Sequence, residues 1–245
     1  MKIKFAALTC IILALQTGNM HAQTDDQSVI KNGLGISLAP MLTIPSFVNQ
    51  NNYAGNTTKA GFGAMAALCQ NIVLSKKHGF YFYLELGYLT TAYIDQTAST
   101  IIINPNTNGN TVSGTSKLLD RDNNGFFSLS IQKVLFHLGN KAGMFLGLGA
   151  QANYCFSKTV TFQETTTNGQ TTTTTFHSTS NNVSPDNQWS ASALARLGIF
   201  INPTKHLGLN LAPVFYYGLN PKYVFTNNQP GYNSLGFNVQ IMYNF

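Results

Sequence analysis

Charge is scarce in this 245-residue chain: 9% of its residues are Asp, Glu, Lys or Arg, against about a quarter in ordinary soluble proteins. Hydrophobic residues make up 44% and aromatic residues 12%. A surface wholly in water would tolerate that balance poorly, so something other than water is expected to meet much of it. Long apolar runs are missing too. Beyond the first 22 residues none approaches the roughly 20 needed for a membrane-spanning helix. The rest of the chain is therefore either soluble or spans as strands, because only helices and closed barrels satisfy their backbone in hydrocarbon. The basic residues form no patch interleaved with aromatics, which argues against a nucleic-acid partner. Cysteine is sparse. Of the three, Cys10 lies near the start, while Cys69 and Cys155 fall on segments expected at different sides and heights of the fold. No disulfide is expected between them, and both read as small packing residues.

The beginning of the chain has the order of an export leader. Lys2 and Lys4 form a basic head, Phe5 to Leu15 an apolar stretch, and Met20-His21-Ala22 a cleavage site before Gln23. A lipoprotein reading of Leu8-Thr9-Cys10 is weaker, because the apolar run continues past Cys10. Removing Lys2 and Lys4 leaves 12 basic residues against 8 acidic ones, a formal charge of +4.

Alternation carries most of the information that follows. Leu235, Phe237, Val239, Ile241, Tyr243 and Phe245 alternate with Gly236, Asn238, Gln240, Met242 and Asn244. A period of two puts these sets on opposite faces of one strand, each facing a different medium. The same pattern recurs with Leu34, Ile36 and Leu38 against Gly33, Gly35 and Ser37, and with Phe80, Phe82 and Leu84 against Tyr81, Tyr83 and Glu85. It returns in 144–154, 189–199 and 207–215, and less regularly in 61–74 and 126–138. About eight strands result. The connections alternate short (75–79, 139–143, 202–206) and long (46–59, 95–124, 165–188, 220–232), as in an outer-membrane barrel with tight periplasmic turns and longer external loops. Aromatics gather near both strand ends: Phe80, Phe82, Phe136, Tyr243 and Phe245 at one, Tyr88, Phe127, Tyr154, Trp189 and Tyr217 at the other. Two long connections carry hairpin signals, Asn168-Gly169 within a threonine run and Asn108-Gly109 after Ile101-Ile102-Ile103.

Strand parity selects the candidate site residues. Glu85, Gln151, Arg196, Asn210 and Gln240 are expected to point inward and to share one polar layer. Lys133 joins them if a bulge at Gln132-Lys133 turns it inward; otherwise it faces lipid and snorkels. Such a layer either closes the interior of a small barrel or acts as a selectivity site. Pro40 and Pro213, in the matching contexts Leu38-Ala39-Pro40 and Leu211-Ala212-Pro213, each remove a ladder hydrogen bond. They either weaken the wall for lateral passage of a lipophilic ligand or adjust its twist. Asp120, Asp122 and Asn124 before Gly125 match the first half of a calcium loop, but Ile131 stands where the bidentate Glu belongs. A polar turn is the expectation there, and no metal or cofactor is assigned. His177 is the one histidine on the long-loop side and has no carboxylate assigned to orient it, so no catalytic residue is assigned either.

Together, the leader, the amphipathic strands, the alternating connections and the terminal Tyr243-Asn244-Phe245 resemble the small outer-membrane β-barrel superfamily, including its PorT-like group. The resemblance implies a transmembrane antiparallel up-and-down β-barrel of about eight strands. Residues 1–22 would be the signal peptide, 23–32 a short periplasmic segment and 33–245 the barrel, with both termini periplasmic. It further implies insertion by the barrel-assembly machinery, with Tyr243 and Phe245 as the assembly signal, and outer-membrane lipids and other envelope proteins as partners. The expected role is non-enzymatic: adhesion, envelope organisation or membership of an envelope complex. A narrow channel for small or hydrophobic solutes is the alternative.

Overall fold

The computed structural model describes residues 31–45, 56–103, 111–139, 141–166, 171–179, 189–219 and 232–245. The leader, most of the expected periplasmic segment, both Asn-Gly turns and segments of the long connections lie outside them. The described residues form nine antiparallel strands: β1 Gly33–Pro45, β2 Asn56–Ser75, β3 Phe80–Ile103, β4 Thr111–Leu138, β5 Ala142–Thr166, β6 Thr171–Thr179, β7 Trp189–Ile201, β8 Leu207–Gly218 and β9 Tyr232–Asn244. Eight of them close a wall in the order β4-β3-β2-β1-β9-β8-β7-β5, with β4 pairing β5 and β1 pairing β9. Closure leaves no open edge within the wall, so its backbone groups are paired between neighbours.

β6 is an addition to that wall. The lower part of β5, Ala142 to Tyr154, pairs with β7, whereas its upper part, Ser157 to Thr165, pairs with β6. The threonine-rich segment is thus a strand in a hairpin, as its composition suggested. The long connection 95–124, open by sequence to either a hairpin or a polar loop, is mostly strand: β3 and β4 remain paired out to Ile103 and Thr111. β3, β4 and β5 reach 24, 28 and 25 residues, while β1, β7, β8 and β9 have 12 or 13. A tilted crossing takes about 9–11 residues. The three long strands and β6 therefore continue as a sheet that stands clear of the barrel at the loop end.

The opposite, turn end is compact. Gly79 and Gly139 close the β2–β3 and β4–β5 turns with φ of 66° and 71°, a region costly for residues with a Cβ. The Gly79 N–H donates to the Lys76 carbonyl at 3.2 Å. Two of the wall's bulges lie in the β4–β5 pairing. Leu135 is the extra residue between Val134↔Phe145 and Phe136↔Met144, and Phe156 is the extra residue between Asn124↔Cys155 and Asn123↔Ser157. The second reverses the parity of upper β5 and brings Lys158 to within 4.0 Å of Asp122.

Candidate functional site in a closed polar lumen

Inward positions hold a hydrogen-bonded polar core, and outward positions hold the grease. Glu85, on β3, is the centre of the core. Its Oε1 accepts from the Tyr83 hydroxyl at 2.9 Å and from Asn238 Nδ2 at 3.1 Å. The Ser37 Oγ lies 2.8 Å from the same oxygen and 2.7 Å from Asn238 Oδ1, so one hydroxyl proton serves two acceptors. Oε2 accepts from Ser128 Oγ and from Arg196 Nη2, both at 2.9 Å. One carboxylate thereby ties together β1, β3, β4, β7 and β9. The Arg196 guanidinium also lies over the Tyr83 ring, 4.5 Å from its centroid. Glu85 and Arg196 are each only 1% exposed. A pair so deeply buried persists only when its geometry and hydrogen bonds offset desolvation; Glu85 has all its acceptor sites engaged, while Arg196 meets it through Nη2 alone and leaves Nε and Nη1 without protein partners.

Space for the arginine comes from Gly147, its register partner on β5. A Cβ there would lie 2.7 Å from Arg196 Cγ and 3.0 Å from Gln132 Cγ, closer than packed atoms approach. On the loop-end side of the pair is a cavity of about 50 Å³ lined by residues including Leu89, Asn124, Gln151 and Tyr216. On the turn-end side is one of about 20 Å³ lined by residues including Tyr81, Phe200 and Asn210. Glu85, Tyr83 and Arg196 fill the lumen between them.

The expected single layer is in fact split. Glu85 and Arg196 meet in the middle, and Asn210 donates to Gln240 Oε1 at 2.9 Å nearer the turn end. Gln151 donates to Asn153 Oδ1 at 2.7 Å on the loop-end side. Strands of a closed barrel are tilted and staggered, so equal distance from a turn is not equal height in the lumen. Lys133 is a correction. The bulge falls at Leu135 rather than at Gln132-Lys133, so Gln132 is buried and Lys133 exposed. Its Nζ sits 5.3 Å from the Phe80 ring centroid, a cation over an aromatic face. Asp120 to Gly125 is a second correction: the stretch is neither a turn nor a loop but part of β4. Asp122 and Asn124 face inward there, and among the described residues no group of His, Cys, Asp and Glu is arranged to hold a metal.

Pro40 and Pro213 both face outward, each at an interruption of one ladder. Pairing of β1 with β9 skips from Leu38↔Val239 to Met41↔Gly236, and pairing of β7 with β8 skips from Arg196↔Val214 to Ile199↔Leu211. Cys69 and Cys155 are buried free thiols, and the Cys69 Sγ lies 3.3 Å from Met242 Sδ. His206 stacks on Tyr243 at 5.7 Å, and His137 packs edge-on to Phe200. The His177 side chain lies outside the described residues; its backbone pairs with Thr159. Sequence reasoning did not assign Ser37, Tyr83, Ser128 and Asn238 to the carboxylate. All have inward parity, but only the strand register shows that they converge.

The outer surface completes the description. Leu38, Leu68, Leu148, Leu197, Phe237 and Ile241 are exposed, Leu148 at 60%. Tyr88, Phe127, Trp189 and Tyr217 are exposed toward the loop end, and Phe136, Tyr243 and Phe245 toward the turn end. Phe80 to Tyr88 spans about 20 Å along the barrel axis at ordinary rise and tilt, close to the ~25 Å apolar band of such proteins. A closed antiparallel wall with apolar side chains outside and a polar core inside is the design of an eight-stranded transmembrane β-barrel.

No protein-family model matches the chain and no curated protein matches it, so the expected PorT-like membership is not confirmed. Among solved structures the chain is similar to Neisserial surface protein A, at 10% identity and TM-score 0.42, covering 87% of this chain and 97% of that one. It is also similar to Ail, the attachment invasion locus protein of Yersinia pestis, solved with the heparin analogue sucrose octasulfate. There the identity is 8%, the TM-score 0.40 and the coverage 88% of this chain and 98% of that one. A second structure of Ail gives 12% identity and TM-score 0.35 over 88% and 98% of the two chains.

Proposed function

We propose that this protein is a non-enzymatic outer-membrane surface protein whose barrel is a rigid anchor and whose strand projection is the interaction surface. The overrun of β3, β4 and β5 carries this reading, since each exceeds a bilayer crossing by more than a dozen residues. Sheet continued so far beyond the apolar band is costly to order and exposes β6 along one edge. That is a surface suited to contact with another macromolecule. In this reading the leader directs export and the terminal strand with exposed Tyr243 and Phe245 is presented to the barrel-assembly machinery. The tight turns and both termini face the periplasm, the orientation in which the long connections lie outside the cell. The packed Glu85–Arg196 pair serves to close the lumen.

Replacing residues 94–119 and 159–177 by short turns tests the assignment. The trimmed protein is expected to remain in the outer membrane and to keep its heat-modifiable gel mobility while losing its cross-links to envelope or surface partners. Unchanged cross-links after trimming would overturn the reading. One observation favours a second reading, lateral passage of hydrophobic solutes: the ladder gaps at Pro40 and Pro213 bound the β8–β9 pair on both sides. Uptake of a hydrophobic dye that is lost when an engineered disulfide staples β1 to β9 would favour passage over anchoring.

A further inference from the structure

Sorted by height, the ionisable residues are distributed unevenly. Four basic residues on the loop-end halves of the strands, Lys59, Lys117, Arg121 and Lys158, are matched by four acidic ones, Asp95, Asp120, Asp122 and Glu164. The lumen holds one of each, Arg196 and Glu85. Everything left among the described residues is positive and lies at the turn end: Lys31, Lys76, Lys77, Lys133, Lys141 and Lys205. All except the half-buried Lys31 are exposed, and His78, His137 and His206 stand exposed among them. No acidic side chain among the described residues shares that end. Every tight turn contributes at least one lysine.

We propose that these lysines form a collar that binds the anionic phosphate headgroups of the lipid leaflet at the turn end. Two contacts fix its depth. Lys133 reaches along the wall to the ring of Phe80, in the aromatic belt where the apolar band ends. Lys31 Nζ donates to the backbone carbonyl of Lys205 at 3.2 Å, tying the start of β1 to the β7–β8 turn, whose His206 stacks on the exposed Tyr243. Ammonium groups at the rim of an apolar band lie at headgroup height, their stems on the apolar surface. Gathered around the whole circumference, they suit many small mobile anions in a ring rather than one compact ligand. Anionic lipid satisfies that geometry, and each lysine near such a surface strengthens attraction by about five-fold at ordinary ionic strength.

The collar rests on the reading that the barrel spans a membrane, and the test separates the two. The full chain is inserted into vesicles of phosphatidylcholine with phosphatidylglycerol as the minor component, and the lipid shell retained on gentle extraction is measured by native mass spectrometry. Failure to insert defeats the membrane reading itself. On insertion, phosphatidylglycerol is expected to be enriched in the shell over its bulk fraction, with the enrichment declining as salt is raised. It should be lost in the Lys76→Gln/Lys77→Gln/Lys141→Gln/Lys205→Gln variant and kept in Lys59→Gln/Lys117→Gln, both checked for heat-modifiable mobility. Should the four-lysine variant fail to fold, the salt dependence of the native protein decides. A shell with the bulk composition, enrichment that survives the four replacements, or displacement by inorganic phosphate beyond that by chloride at equal ionic strength would each overturn the collar.

Discussion

Replacing Glu85 by Ala removes the one anion that five strands share. Arg196 keeps its charge at 1% exposure, with Nε and Nη1 already lacking protein partners. Tyr83, Ser128 and Asn238 lose their acceptor at the same time, and Ser37 retains only Asn238 Oδ1. Breaking a buried ion pair from one side costs about 3–5 kcal/mol, mostly the uncompensated charge left behind. Two or three orphaned hydroxyl and amide donors add about 1 kcal/mol each unless water enters from the flanking cavities to take them. A total loss of about 5–8 kcal/mol is therefore expected, falling to about 3–5 kcal/mol where water takes those donors. Urea unfolding in lipid vesicles, followed by tryptophan fluorescence of Trp189 and by gel mobility, reads that loss as a lowered midpoint at unchanged slope. The Glu85→Gln/Arg196→Met variant removes both charges and should recover at least half of it, because replacing a whole buried pair by apolar or neutral groups is often near neutral. A loss below about 1 kcal/mol in Glu85→Ala would refute the reasoning, as would a double variant no better than the single one.

Other consequences follow from the same geometry. Gly147→Leu forces a side chain into the space of Arg196 and Gln132 and should destabilise by about 1–3 kcal/mol in the same unfolding assay. Single-channel recording of the intact protein should show no stable unitary currents, because Tyr83, Glu85 and Arg196 are packed across the lumen; steady steps at low voltage would count against a closed barrel. Pro40→Ala and Pro213→Ala should each destabilise by about 1–2 kcal/mol, since either change adds an N–H directed at an interrupted ladder in an apolar surround. The carbonyls of Pro40 and Leu211 approach Gly236 and Gly198 across those gaps, which sets the direction of that N–H. Stabilisation by either replacement would show that the prolines weaken the wall rather than suit it.

Much of this fold was legible because its dominant signal is local. Alternation along Leu235 to Phe245 or Phe80 to Tyr88 follows from two media on two faces of one strand and needs no knowledge of neighbours. The upper halves of β3 and β4 escaped that logic, since polar residues such as Asp120, Arg121 and Asp122 follow one another there and alternate positions carry no contrast in polarity. Lys133 was misplaced for a related reason. One extra residue anywhere between Gln132 and Leu138 explains the pattern equally well, and only pairing to β5 locates it at Leu135. The inward set was nearly all readable, but its grouping was not. Glu85 and Arg196 lie 111 positions apart, and whether they touch depends on the stagger of strands that the sequence does not state.

Three layers of the molecule handle charge in three ways, and the medium explains each. In the lumen, where little water reaches, the single anion and single cation neutralise one another at hydrogen-bond distance, the arrangement low polarity tolerates. On the loop-end halves of the strands four basic and four acidic residues are interspersed along the chain, Asp122 among them inward beside Lys158, and no strong field of one sign builds there. Among the described residues, the six lysines at the turn end share it with no acidic side chain. Mutual repulsion among them is affordable only where salt or a counter-charge screens it, and the aromatic belt beside them holds the ring within reach of lipid phosphate. The surplus of basic over acidic side chains among the described residues is therefore better read as the property of one rim than as a general basicity. Its partner should be sought in the leaflet that the rim touches and not among the macromolecules that the projection meets.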